Sequence, residues 1–371
     1  MSTRAENHSP PVDVAIVGAG PIGLELAIAL RHHGVSLRHF EAGSIGRTIV
    51  GYPRETRFFS SPERIAIAGI PLSSPRQEKT TREEYLAYLR SLVAAFSLEV
   101  ETQRTVVSIE PRDGRFVVGV APSIAPPPES PPLPPVDRGA PIEEVDAGRV
   151  ILAIGDMHDA HAIGIPGEDA PHVSHFFHEP HAYCGRSVLI VGGKNSAVEA
   201  ALRCHRAGAR VHLSYRGAEL PERSVKAWLL PDIRNQIRSG GIAFSPETIP
   251  VAIEAEGVRL RGVTTGEESV HPADFVLLLT GYDQSPALFR AAGIDVEGPL
   301  ARPVLDPETM ESTTPGVFVA GTAVAGSQRS HRVFIENSHP HVARIVRAIT
   351  GREPPFTTDD TSLAARDLPE S

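Results

Sequence analysis

Hydrophobic residues along the chain fall into short, almost unbroken runs that alternate with longer amphipathic stretches. Two segments repeat one unit: an apolar strand, a glycine-rich turn and an Ala/Leu-rich helix. The first places a strand at 12–17, the turn Gly18-Ala19-Gly20-Pro21-Ile22-Gly23, a helix at 24–33 closed by Gly34, and a second strand ending at Glu41. The second places a strand at 187–191, the turn Gly192-Gly193-Lys194-Asn195-Ser196-Ala197, a helix at 198–207 closed by Gly208, and a strand running to Tyr215. Unbroken apolar strands are buried on both faces, and strand–helix–strand order implies parallel pairing. The fold class predicted is therefore α/β, with two Rossmann-like dinucleotide-binding domains.

Between the repeats, Thr81-Arg82-Glu83-Glu84 has the pattern of a capping box and predicts a helix through about 96. Strands are expected at 105–109, 115–120 and 149–154, the last ending in Gly155, and later at 275–279 and 317–320, ending at Gly281 and Gly321. The proline-dominated run 121–142 reads as a surface insertion without core. A final helix is expected over 334–350, broken near Pro340, followed by a polar, disordered tail at 351–371; residues 1–11 are read as disordered too. The resulting organisation is discontinuous. Residues 12–160 and 296–350 form one domain, and 161–295 form a second domain inserted into it.

The two loops supply the chemistry. A dinucleotide pyrophosphate needs close backbone approach and the N–H groups of a helix N-terminus. Gly18, Gly20 and Gly23 meet that need, and Glu41 stands near the offset expected for a carboxylate on ribose hydroxyls. In the second loop Lys194 replaces the middle glycine and Ala197 the last; the lysine offers its ammonium to a phosphate. No acid ends the next strand. Arg216 stands there instead, which favours a 2′-phosphate and hence NADPH; Arg223 or Lys226 either adds a second positive contact or is a surface charge. One loop with an acid and one with an arginine suggest FAD on the first, NADPH on the second, and hydride passing between them.

Composition narrows the remaining classes. A net charge of −9 argues against nucleic acid. No apolar stretch reaches the ~20 residues that span a bilayer, and no secretory signal is visible, so a cytoplasmic location is expected. With only Cys184 and Cys204, there is no disulfide framework, thiolate metal site or C-x-x-C pair. Each cysteine is expected to be an inert packing residue. The histidines His172, His175, His178 and His181 recur at helical spacing, but Pro171 and Pro180 interrupt the segment, which reads as a solvated interdomain connector and not as a metal site.

Several further blocks are not explained by generic fold rules: Thr48-Ile49-Val50-Gly51-Tyr52-Pro53, Phe58-Phe59-Ser60-Ser61, Tyr215-Arg216-Gly217, Ser224-Val225-Lys226-Ala227-Trp228, Thr280-Gly281-Tyr282 and Phe334-Ile335-Glu336-Asn337. With the loop at Gly192, they resemble the bacillithiol-disulfide-reductase-like (YpdA-type) flavoproteins of the thioredoxin-reductase-like superfamily, over about residues 12–345. The resemblance implies FAD, NADPH and reduction of a low-molecular-weight thiol disulfide such as bacillithiol disulfide, and it admits a homodimer. It implies FAD contacts from Pro21, Ile22, Tyr52, Phe59, Ser60, Val106, Gly155 and Gly321, with Ile335 and Asn337 at a helix N-terminus near the flavin's pyrimidine end. It implies NADPH contacts from Gly192, Asn195, Ser196 and Ala197 beside Lys194, Arg216 and Lys226. Phe58 and Phe334 are read as core aromatics. Three departures stand out: Ile22 where many members carry a redox cysteine, Ile154 for threonine, and Thr322 for an aspartate after Gly321. Two other classes stay open. Gly167 and His172 loosely resemble the linker signature of flavin monooxygenases, and a redox sensor or a reductase of a protein partner would use the same cofactors.

Overall fold

A computed structural model describes residues 10–74, 78–123, 143–329 and 332–356. The strand Val12–Val17 sits at the centre of a seven-stranded sheet. Its side chains alternate between two cores: Val14 and Ile16 face one, Ala15 and Val17 the other. Parallel neighbours flank it, Leu37–Glu41 on one edge and Glu143–Leu152 on the other. The long strand Glu143–Leu152 then divides its outer edge, pairing antiparallel with Arg115–Pro122 at its start and parallel with Val317–Val319 at its end. Val17 is level with both Phe40 and Leu152, so three carboxyl ends finish side by side where Gly18 begins.

The second sheet is built from residues inserted before Val317–Val319. Its order is Ile242–Ser245, Arg210–Ser214, Ser187–Val191, Phe275–Leu278 and Val173–Ser174, all parallel. Val188 and Ile190 face one core, Leu189 and Val191 another, which repeats the first unit's logic. The chain passes between the domains twice, and the two passages pair with each other as Asp159–Ala160 against Tyr282–Asp283.

Most expected elements are present, with instructive shifts. The helices after both loops start three residues early, as Pro21–His32 and Asn195–Arg206, because the loops' last residues are already helical. Proline at the first turn costs no hydrogen bond. The helix Arg82–Ala95 carries the full capping box between Thr81 and Glu84. By contrast, Pro340 does not break the last helix. It lies in the first turn of His339–Thr350, after a separate 3-10 turn Ile335–Asn337.

The strand before the proline-rich insertion runs two residues into it, and the strand after it starts six residues earlier than expected. Ala121 is buried within Arg115–Pro122, and the strand expected from 149 starts at Glu143, with Val145 and Ala147 facing inward between outward acids. The rest of that insertion, 124–142, lies outside the described residues, as do 1–9 and 357–371. The start of the tail is not loose: Phe356 packs on the first core.

Candidate cofactor sites at the two glycine loops

The three glycines of the first loop have different tasks. Gly18 has φ +102°, and a Cβ there would meet the Ala153 carbonyl oxygen at 2.4 Å. A Cβ on Gly23 would lie 2.0 Å from the Gly18 oxygen, so this glycine lets the helix pack onto its own loop. At Gly20 nothing lies within 4 Å of that position, and Gly20 is the helix N-cap with no side chain capping it. Open space above uncapped N–H groups is what a pyrophosphate requires.

Behind the loop, Glu41 is buried and accepts from the Ala19 N–H at 2.8 Å and the Gly43 N–H at 2.7 Å. Burial pushes its carboxyl up, while those two donors and the Arg47 guanidinium pull it back. A carboxylate has about four acceptor positions, so the two bonds leave capacity for a ribose. His39 lies fully buried beneath the turn, its Nε2 2.9 Å from the Gly18 oxygen. A carbonyl only accepts, so Nε2 carries the proton; burial holds the ring neutral, down to about 4. Sequence reasoning missed this residue, since a histidine in a strand has no distinguishing pattern.

Other expected contacts converge on the same carboxyl ends. Gly155 has φ +76°, and the Thr48 and Thr322 hydroxyls lie 3.9 Å from where its Cβ would be. Gly321 lies against the Ile22 side chain, which is itself buried. The Tyr52 hydroxyl points at Met157 Sδ, 3.9 Å away, and burial pushes its ionisation up. Ser60 is buried. Asn337 spends its amide on Phe334 N–H and the Arg332 carbonyl, shaping the turn that holds Ile335.

Val106 is buried in the same core as Val17 and Phe40, near the start of a strand that follows Gln103, whose N–H donates to the Gly43 carbonyl. Two placements differ from expectation. Phe59 is 45% exposed and stacks on Trp228 of the other domain, ring centroids 6.2 Å apart. Phe334, read as core, is 40% exposed, whereas Phe58 does pack on Tyr85 within the core.

The second loop is more crowded. Gly192 has φ +144°, and a Cβ would meet the Leu279 oxygen at 2.6 Å and the Ala197 Cβ at 2.8 Å. Gly193 lies under the Tyr215 ring, 2.4 Å from the position of its Cβ. Lys194 takes the N-cap place, exposed, and donates its ammonium to the Arg329 carbonyl of the first domain. Partial burial and the Arg216 and Arg329 charges push that ammonium down. Arg216 and Ser196 are exposed, while Ala197 is buried under the helix start. Asn195 accepts from the Lys226 N–H at 2.6 Å. Lys226 departs most from expectation. Its side chain is 7% exposed and donates to the Arg57 carbonyl at 2.8 Å and Glu199 Oε2 at 3.0 Å, so it does not face the loop's open side.

Cys204 is fully buried, and burial pushes its thiol up to about 12. Cys184 is exposed and not packed as expected, but it precedes Ser187–Val191, at the end of that strand opposite to Gly192. Among the described residues no group of three His, Cys, Asp or Glu side chains is placed to hold a metal. No helix there is long and apolar enough to cross a membrane.

Comparison with known proteins agrees with this geometry. The family model for pyridine nucleotide-disulphide oxidoreductases matches residues 15–122 and 140–321. Bacilliredoxin reductase Bdr of Bacillus subtilis (strain 168) is 31% identical over 341 residues, 91% of this chain and 97% of that protein. A ferredoxin–NADP reductase of Ignicoccus hospitalis is 25% identical over 325 residues, 85% of this chain and 92% of that one. Among solved structures, bacillithiol disulfide reductase Bdr (YpdA) from Bacillus cereus superposes with a TM-score of 0.83 at 30% identity, covering 93% of this chain and all of that one (100%). Two glycine loops, each at the carboxyl ends of parallel strands, are thus set in a fold shared over 93% of the chain with a solved disulfide reductase. The chain belongs to the pyridine nucleotide-disulphide oxidoreductase family and is an oxidoreductase that works with FAD and NAD(P)H.

Proposed function

We propose that this enzyme uses NADPH to reduce a low-molecular-weight thiol disulfide, of which bacillithiol disulfide is the type. The observation that carries this reading is the near-complete coverage of Bdr relatives in both sequence and structure. When bound, FAD takes a hydride from the nicotinamide and releases two electrons to an acceptor. The chain's own part is to hold the two cofactors. Gly20 and the uncapped start of Pro21–His32 take the flavin pyrophosphate, and Glu41 takes the ribose. Exposed Arg216 takes the 2′-phosphate that distinguishes NADPH from NADH, with Lys194 beside it.

No protein thiol relays the electrons in this reading. The loop position carries Ile22, Cys204 is buried as an unreactive thiol, and Cys184 lies a strand's length, about 16 Å, from the second loop. The substrate S–S bond therefore breaks without a mixed disulfide to the enzyme. Overall, NADPH, one proton and the disulfide give NADP⁺ and two thiols.

Anaerobic stopped-flow mixing with NADPH tests this, followed by bacillithiol disulfide as acceptor. Flavin bleaching and reoxidation are expected, both retained in a Cys184→Ser/Cys204→Ser double variant; absence of bleaching overturns the reading. A second reading, a small disulfide-bearing protein as acceptor, is favoured by the name of the bacilliredoxin reductase relative. Faster reoxidation by a bacilliredoxin than by the free disulfide would select it.

A further inference from the structure

Lys226 has a place that neither nucleotide binding nor acceptor chemistry explains. Its backbone is fixed to its own domain, the N–H donating to Asn195 Oδ1 at 2.6 Å on the first residue of Asn195–Arg206. Its side chain crosses to the other domain. The buried ammonium has three donors to satisfy. One goes to the Arg57 carbonyl at 2.8 Å and one to Glu199 Oε2 at 3.0 Å, and the Trp228 ring lies 5.8 Å away. Glu199, one turn along the same helix, also accepts from the Thr56 hydroxyl at 3.5 Å. Phe59 stacks on Trp228 beside them. A desolvated ammonium with a carboxylate and a carbonyl as partners is costly to break on one side.

We propose that Lys226 is an interdomain positioning residue. It pins the start of Asn195–Arg206, the helix that carries the second glycine loop, to residues 56–57 of the flavin domain, and it does not bind the nucleotide. A second pin, Lys194 on the Arg329 carbonyl, joins other segments of the same two domains. Both lysines thus donate to main-chain carbonyls across the boundary, but only Lys194 is exposed. The Lys226 pin acts before any acceptor is involved, so it does not depend on which disulfide is reduced.

The test uses the full-length, FAD-loaded protein and its Lys226→Met variant. Glu199 keeps Arg203 Nη1 at 3.8 Å as a partner, so the variant is not left with an isolated buried carboxylate. Hydrogen–deuterium exchange is read at 321–329, the segment of the second pin, which a local disturbance at Lys226 does not touch. Faster exchange there, with the ratio of NADPH to NADH dissociation constants unchanged, is the expected result. Unchanged exchange at 321–329 overturns the proposal. So does an NADPH Kd raised about tenfold or more with NADH unaffected, which is the signature of a lost phosphate contact. Glu199→Gln, which keeps the shape and removes the charge, is expected to speed the same exchange to a smaller degree; no change in it counts against the pin even if Lys226→Met does not fold.

Discussion

The two glycine loops share a strand–turn–helix frame but differ in what fills it. In the first, the space above Gly20 is open, and the buried polar groups Glu41 and His39 brace the loop's own backbone from behind. In the second, Tyr215 covers Gly193, Lys194 takes the N-cap place, and the flanking cations reach across to the other domain. The first loop is a preformed cradle held rigid from behind. The second is part of a domain boundary, so its groups serve both the nucleotide and the contact between domains. A motif therefore tells where a phosphate can sit, while its neighbours decide what else the site must do.

The sharpest way to break this comparison is to add one methyl group to Gly23 and, separately, to Gly20 of the first loop. Gly23→Ala drives a Cβ into the Gly18 carbonyl and is expected to cost about 3 kcal/mol of stability or more, with loss of FAD, as read by thermal melting and flavin content. Gly20→Ala meets no protein atom, so melting of the apoprotein should move by less than about 0.5 kcal/mol while FAD affinity falls. Equal loss of stability in both would remove the distinction between packing and cradle.

Next in size is the support behind the loop. Glu41→Ala leaves the Ala19 and Gly43 N–H groups without their carboxylate and should cost roughly 2 kcal/mol, measured by denaturant unfolding.

A pH series tests His39. Its folded-state value near 4 lies below the ordinary 6.5, so the unfolded chain binds more protons between these values. The stability held by neutral His39 is complete above about 6.5 and lost as pH falls toward 4, by on the order of 1–3 kcal/mol. His178, His212 and His341, also held near 4 chiefly by burial, give slopes of the same sign. Glu41, pushed up, gives the opposite one. The informative quantity is therefore the change in slope on His39→Asn, which should flatten the acid limb of Tm against pH.

The smallest effect belongs to the second loop's exposed charge. Arg216→Ala should weaken NADPH binding about tenfold, or 1.4 kcal/mol, and leave NADH nearly unchanged; equal weakening of both would remove the 2′-phosphate role.

Much of this was legible in the chain. Period and apolarity located the central strand of each sheet, because a strand buried on both faces admits few polar residues. The glycine spacing located both turns, because only glycine tolerates φ near +102° at Gly18 or a neighbour 2.0 Å from its Cβ, as at Gly23. Local chemistry likewise marked the Thr81–Glu84 capping box. Elsewhere the local signal is weak or competing: acids alternating with Val145 and Ala147 disguise half a strand beside a proline run, and Pro340 suggests a break where it opens a helix.

What the tertiary structure alone decided is which groups meet. Lys194 and Lys226 are indistinguishable as sequence letters near a nucleotide loop, yet one is exposed and the other is shut between domains on Arg57 and Glu199. His39 under Gly18 and Trp228 against Phe59 are contacts between residues 21 and 169 positions apart. Spacing along a chain specifies local geometry through backbone sterics and hydrogen bonding; it carries no record of which distant side chain is left to satisfy a buried charge.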